Sequence, residues 1–505
     1  MNQSTDSLAT LALGQRPDGP TLLQAQWVMG HENGKHVLYR NGQLVFDEDR
    51  VTYVGHRYAG HAARRIDLGP ALVGPGFVDL DALSDLDTTV LGYDNQPAWK
   101  KGRVWPETYV ASGPYEMYTE QQLAFQKRYA FAQLLCNGIT TAAPIASLFY
   151  REWGETPEEF ALAADIAAEL GLRVYLSPAY RSGGVVVTAD GRMQPRFDEA
   201  RGMRGLQDAL AFHEHHDNSR GGLVRTLLAP DRIETCTAKL LHATMRAAQE
   251  RDLPVRLHMA QGAMEEEIMQ GLHGTTAPRW LHSLGLLSDR LIAPHATRAK
   301  PEELELYRDH GVTIVHCPLV SARGGSVLRS FRLCRDMGIN IAMGTDTAPP
   351  DMLANLAAGM MLCRVVEGSA DACRAEEFYD AATLGGAKAL HRNDIGRLAQ
   401  GCKADIAVFD LASMRTGPAI DPVQTLMISG QGSLVSAVFV DGRLSMRDGQ
   451  VAGMDMHQAQ RQAQAQFDGL IQKYPERTYG HPTVQEIFSS SYRIYEPGAH
   501  DARRA

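Results

Sequence analysis

The stretches PVRLHMAQ (254–261), RLIAPHAT (290–297), VTIVHCPL (312–319) and NIAMGTDT (340–347) share one design: a short apolar run closed by His258, His295, His316 or Asp346. Apolar runs of this length, bounded by turn residues, suit strands buried on both faces of a parallel sheet. Working outward, runs of the same kind occur in GPGFVDLDAL (74–83), GITTAAPIAS (138–147), LRVYLSPAY (172–180) and LVRTLLAP (223–230). Between them lie helix-like stretches such as TEQQLAFQKRYAFAQLL (119–135), TPEEFALAADIAAELG (156–171) and KPEELELYRDHG (300–311). Pro-Glu starts and glycine ends mark several of them. Eight strand–helix units within residues 71–390 predict an α/β chain built on a (β/α)8 TIM barrel.

The flanks read differently. TLLQAQWVM (21–29), HVLYR (36–40), QLVFDEDRVTYVG (43–55) and RRIDLG (64–69) alternate apolar and polar residues between Asn-Gly turns. The same style returns in DIGRLAQGCKADIAVFDL (394–411) and LVSAVFVDGRLSMRDGQVAG (434–453). We therefore expect residues 1–70 and 391–454 to form one small split β-sandwich domain into which the barrel, 71–390, is inserted. Residues 455–505 read as a helical, then irregular, C-terminal tail that serves packing or a partner surface.

Composition narrows the function. The chain has 505 residues, 44% hydrophobic and 22% charged, with a formal net charge of −9. An acidic balance argues against a nucleic-acid surface and for a small-molecule or protein partner. The N-terminus has no basic segment followed by an apolar one, and no apolar run approaches about 18 residues. The expectation is a cytoplasmic protein without membrane association. Seven cysteines lie scattered without CxxC spacing, as reduced thiols do.

The active face of a β/α barrel is built at the C-terminal ends of its strands. One histidine at a strand end is weak evidence, but four polar groups closing four successive runs predict a functional cluster. Imidazoles converging with a carboxylate suit a divalent transition metal, which lowers the pKa of bound water to about 7. Asp346 is placed to accept that water's proton, and His316 to hydrogen-bond the substrate or a developing oxyanion.

At this point the chain resembles the amidohydrolase superfamily, nearest its cytosine-deaminase and triazine-hydrolase branch. The matching stretches are GPGFVD (74–79), NGITT (137–141), LAPDRIETCTAKLL (228–241), LHMA (257–260), PHAT (294–297), VHCPLVS (315–321), GTD (344–346), ATLGGAKAL (382–390), 394–411 and VFVDGRLSMRDG (438–449). The resemblance implies a barrel with a split β-sandwich, and hydrolysis of C–N and related bonds at amidine, amide or halogenated ring carbons with one or two divalent metals. By it, His258 is similar to the strand-5 metal ligand and His295 to the strand-6 ligand or water-orienting group. His316 resembles the strand-7 substrate-binding histidine, and Asp346 the strand-8 ligand and general base.

The sequence departs from that pattern after the first run. Where the family has His-x-His, this chain has Asp81-Ala82-Leu83. Leu83 cannot bind a metal, whereas Asp81 can. Two readings stay open: one divalent ion (zinc, manganese, cobalt or iron) held by Asp81, His258, His295 and Asp346, or no metal and acid–base residues alone. Three residues after His258, the family's proton-shuttling glutamate is replaced by Gln261, which can orient a substrate but not titrate. Glu265, Glu266 and Glu267 are expected to start the next helix with solvated side chains. In HCPLVSARGG (316–325) the asparagine that usually follows the serine is missing, which alters the loop expected to contact substrate.

The aromatic, basic segment GYDNQPAWKKGRVWPETY (92–109) is long for a βα loop and reads as a cover for the pocket. Trp99 and Lys100 in it, with Gln261, Arg181 and Arg323, form the expected substrate-binding set, the cations clamping a substrate carboxylate. Asp231 and Arg232 can face the same pocket. Cys317, with no base apparent beside it, reads as a buried thiol. The expected function is hydrolysis at a ring or amidine-like carbon of a small, in part anionic, heterocycle by a homodimer or higher homo-oligomer. The leaving group is an amine, ring nitrogen, halide or sulfide. The alternatives are a metal-independent hydrolase or lyase of the same fold and a non-catalytic scaffold.

Overall fold

The computed structural model describes residues 7–86, 89, 104–112, 117–146, 155–328 and 331–495. Eight parallel strands follow one another around a barrel: Phe77–Leu83, Ile139–Ile145, Arg173–Leu176, Val224–Thr226, Val255–Arg256, Leu291–Pro294, Thr313–His316 and Ile341–Met343. The last pairs with the first through Met343 and Asp79, and the ring closes between the fourth and fifth through a parallel bridge from Leu228 to Val255. The TIM barrel read from the apolar runs is thus present, its strands buried on both faces as their unbroken apolar character requires.

The connecting helices start where local chemistry dictates. The Thr156 side chain accepts from the Glu159 N–H ahead of helix Pro157–Leu170, and Pro157 supplies a preset φ at the first turn. The helix stops at Gly171, which takes a left-handed φ of 74°.

The second unit is a nine-stranded sheet drawn from both ends of the chain. N-terminal strands Thr21–Glu32 and Lys35–Asp47 pair antiparallel, and C-terminal strands Ile406–Asp410 and Val435–Val440 join them through Ala71–Pro75. Ala71–Pro75, expected within the barrel, therefore belongs to this sheet, and the barrel begins at Phe77. The sheet curls onto itself: Phe46 meets Phe439 with ring centroids 5.4 Å apart, although three strands separate theirs in the pairing order.

The two units are locked by a buried arginine. Arg173 on the third barrel strand donates from Nε to Asp405 Oδ2 at 3.0 Å and from Nη2 to Asp441 Oδ1 at 2.5 Å, acids that lie just before strand Ile406–Asp410 and just after strand Val435–Val440 of the sheet. The tail opens with helix Met456–Lys473, capped by Asp455. Among the described residues no helix is long and apolar enough to cross a membrane. All seven cysteines are free thiols.

Candidate active site

Three of the expected ligands meet at the C-terminal mouth of the barrel. One ligand atom each from Asp81, His258 and His295 lies within 4.8 Å of the others, and all three residues are buried. Asp81 comes from the first strand; His258 and His295 follow the fifth and sixth. Asp346, after the eighth, stands at the edge of the group with Oδ2 3.7 Å from His295 Nε2.

The His258 ring is oriented from behind. Its Nδ1 lies 2.9 Å from the carbonyl oxygen of Asp231, which can only accept, so the ring proton sits on Nδ1. Nε2 then turns its lone pair toward Asp81 Oδ1 at 3.2 Å. Two electron-rich atoms face each other there, an arrangement that calls for a cation between them or a second proton on the ring. His295 makes the same demand: both ring nitrogens are buried without a hydrogen-bond partner, and Nε2 is 4.0 Å from Asp81 Oδ2. An N, N, O donor set with unsatisfied buried nitrogens fits a divalent transition metal.

Electrostatics sharpen these roles. Burial opposes charge on Asp81, yet His258, once it carries its second ring proton, and Arg256 hold its carboxyl down to about 2. Burial, then the charge of Asp81, holds Asp346 well above the usual carboxylate range. Burial takes His295 down to about 3, leaving a neutral imidazole that can act as a ligand. His295 and Asp346 also adopt left-handed backbone, φ 79° and 41°. For residues with a Cβ this conformation is sparsely populated and costs about 1–3 kcal/mol, and it tends to occur where function fixes the chain.

Neighbouring groups hold the cluster in place. Asp79 Oδ1 accepts from Asp81 N at 3.1 Å and Thr345 N at 3.0 Å, tying the first strand to the eighth. Arg256, two residues before His258, is 2% exposed and donates from Nη1 to Ala143 O at 2.6 Å. Its place on the strand, at the spacing of one face, was the available signal. Glu265 corrects an expectation: it is buried and accepts from the N–H groups of Ala260 and Gln261, both at 2.7 Å. It pins the turn after His258 and is not solvated. Burial, then the charge of Glu234, pushes it up to about 7.

The remaining expected residues are placed as follows. His316 is not brought into hydrogen-bond contact with the cluster among the described residues. Its ring lies against Phe331 and Phe378, centroids 5.7 and 6.3 Å away. Cys317 faces Asp81 instead, Sγ 3.8 Å from Oδ2, and burial holds its thiol well above the usual range. Gln261 borders the mouth, with its carbonyl accepting from Thr297 Oγ1. Arg181 pairs with Asp231 at 3.2 Å, Arg323 donates to Thr347 Oγ1, and Arg232 pairs with Glu234 at 2.7 Å. Trp99 and Lys100 lie outside the described residues.

Known proteins resemble this chain in sequence and in fold. A 5-methylthioadenosine/S-adenosylhomocysteine deaminase of Halobacterium salinarum is 28% identical over 433 residues, 84% of this chain and 92% of that protein. One of the same name from Pyrococcus horikoshii is 27% identical, covering 82% and 92%. Among solved structures, a zinc-bound adenosine deaminase from Xanthomonas campestris superposes with a TM-score of 0.75 at 22% identity, over 90% of this chain and 99% of that one. A zinc-complexed atrazine chlorohydrolase from Arthrobacter aurescens gives 0.72 at 21% identity, over 88% and 99%. These structural likenesses establish the fold. The amidohydrolase family model matches residues 84–445, well over half of the sequence. With that match, the chain belongs to the amidohydrolase family.

Proposed function

We propose that this protein is a hydrolytic deaminase of purine-like heterocycles, assisted by one divalent metal ion. The observation that carries the reading is the convergence of Asp81, His258 and His295 within 4.8 Å at the barrel mouth, with Asp346 beside them. The names of the relatives support an amino-substituted ring carbon as the point of attack.

In this reading Asp81, His258 and His295 hold the ion, with Asp346 at its margin. A divalent ion (zinc, manganese, cobalt or iron) supplies Lewis acidity that readies a water for attack near neutral pH. The chain's own residues do the rest. Asp346 takes the proton of the attacking water and returns it to the departing amine. Water adds to the ring carbon, the exocyclic C–N bond breaks, ammonia leaves and a ring carbonyl remains. Gln261 orients the ring by hydrogen bonding and moves no proton. Arg323 and Arg181 are the cations available to an anionic substituent. His316 serves as packing beside the site.

The test is direct. Purified protein is assayed for metal content and for ammonia release from 5′-methylthioadenosine, S-adenosylhomocysteine and adenosine. Stoichiometric metal with turnover of at least one substrate is expected. Full metal loading without ammonia release from any of them would sink the proposal.

A further inference from the structure

We propose that the C-terminal segment 456–488 holds Trp105 against Arg181 at the barrel mouth, and so sets how tightly the site binds its substrate. The inference rests on the deaminase reading for its substrate, but not for its structural half.

The segment lies C-terminal to residues 84–445, which the family model matches. It does not pack only on the barrel's outer helices. Leu470, Tyr474 and Ile487 form a separate buried cluster with Tyr109, and Trp105 packs against it. Farther along, Tyr479 Oη donates to Ala189 O at 3.1 Å, gripping the hairpin of Gly183–Val187 and Met193–Phe197. That hairpin holds Trp105 from the other side, because Val187 N donates to Trp105 O at 2.9 Å. Trp105 is therefore fixed by two structures, and the tail contacts both.

From Trp105 the contacts run inward. Its ring meets the Arg181 guanidinium, Cζ 5.4 Å from the centroid. Arg181 Nη1 donates to Asp231 Oδ2 at 3.2 Å, and the Asp231 carbonyl is the group that orients His258. Arg181 and Asp231 follow the third and fourth barrel strands, on the side where the site opens. Arg181 Nε is buried and has no hydrogen-bond partner. A half-buried indole beside an unsatisfied guanidinium N–H forms an edge with an apolar face and one donor. That edge suits the part of a nucleoside remote from the reacting ring carbon, so it contributes to binding and not to the chemical step.

The test uses the full-length protein and three variants: Leu470→Asp and Ile487→Asp in the tail, and Trp105→Ala. Hydrogen exchange of residues 104–112 and steady-state kinetics with 5′-methylthioadenosine are measured on each. In the tail variants the 104–112 amides are expected to lose protection while the barrel strands keep theirs. In all three, KM is expected to rise about tenfold with kcat held within about twofold, as for loss of a contact made equally in ground and transition states. Unchanged protection of 104–112 beside a freely exchanging tail overturns the structural half. An unchanged KM in Trp105→Ala, or a fall in kcat alone, overturns the binding half. Should the aspartates prevent folding, Leu470→Ala and Ile487→Ala carry the same readouts. If the wild-type protein turns over no purine nucleoside, the deaminase reading and the binding half fall, while exchange still judges the tail's contact with Trp105.

Discussion

Asp346 donates its backbone N–H to the carbonyl of Asp81 at 2.8 Å. The two carboxylates of the candidate site thus hang from adjoining strands, the first and the eighth, where the barrel closes. Asp81 stands where the resemblance implies a histidine, and its partner across the ladder is the residue proposed to move the proton.

Replacing Asp81 separates metal binding from fold. Asp81→Ala removes the only oxygen donor of the three-residue cluster. Even groups that merely support a metal ligand cost about 10–100-fold in affinity when lost, so at least that weakening is expected, by calorimetric titration of zinc into chelator-stripped protein. Wild-type affinity in the variant would remove Asp81 from the ligand set.

Asp346→Asn keeps the shape and removes the base. Positioned acid–base groups contribute about 10²–10⁴-fold, so kcat is expected to fall by that factor with metal content retained. Single-turnover kinetics on metal-loaded protein provide the check. A variant with undiminished kcat assigns the proton to another group.

Gly344 is small because the site leaves it no room. A Cβ there would lie 2.6 Å from Asp81 Cβ, 2.8 Å from Val315 Cγ1 and 3.0 Å from Cys317 Sγ. Gly344→Ala is expected to destabilise the protein by about 1–3 kcal/mol and to weaken metal binding by displacing Asp81. Urea unfolding and metal titration measure the two effects.

Arg173 joins barrel to sheet through Asp405 and Asp441, with the arginine fully buried and the acids nearly so. Removing one member of a buried pair leaves the other charge unpaired, at a cost of about 3–5 kcal/mol. Arg173→Met should lower the urea midpoint accordingly. If the midpoint moves by less than the cost of a surface change, the lock is not what couples the two units.

Glu155 gives the stability a pH signature. It accepts from Ala146 N at 2.6 Å and Ala179 N at 2.7 Å, joining the second and third strand ends. Burial, then the charge of Glu159, pushes it up to about 8 despite those two donors. The folded protein therefore binds this proton more tightly than the unfolded chain. The resulting stabilisation is complete below the ordinary glutamate pKa and is lost as pH rises through about 8, with a slope of at most about 1.4 kcal/mol per pH unit. Glu155→Gln should flatten the stability profile across that window. A profile with the same slope in the variant would assign it to another group.

Much of this was legible without coordinates. Apolar runs closed by His258, His295 and Asp346 specified strands and strand ends, because a strand buried on both faces has to be apolar throughout and only its end can carry a polar group to the mouth. The replacement of His-x-His by Asp81-Ala82-Leu83 was also plain, and with it the identity of the one possible donor. The alternating flanks announced a second β unit from both ends of the chain.

The tertiary structure decided which way those residues face. His316 and Cys317 are neighbours in one motif, and alternation sends one toward Phe331 and Phe378 and the other toward Asp81. Parity along a strand is set by register with its neighbours, and the first strand shifts register between Phe77 and Val78 and again between Asp79 and Ala82. Such shifts leave no mark in hydrophobic periodicity. The burial of Glu265 and the grip of the tail on Trp105 also depend on partners distant in sequence. The sequence by itself determined the barrel, its split companion and the chemical types at the strand ends; only the packed structure determined which of them share one site, because sharing depends on register and long-range contact, not on local pattern.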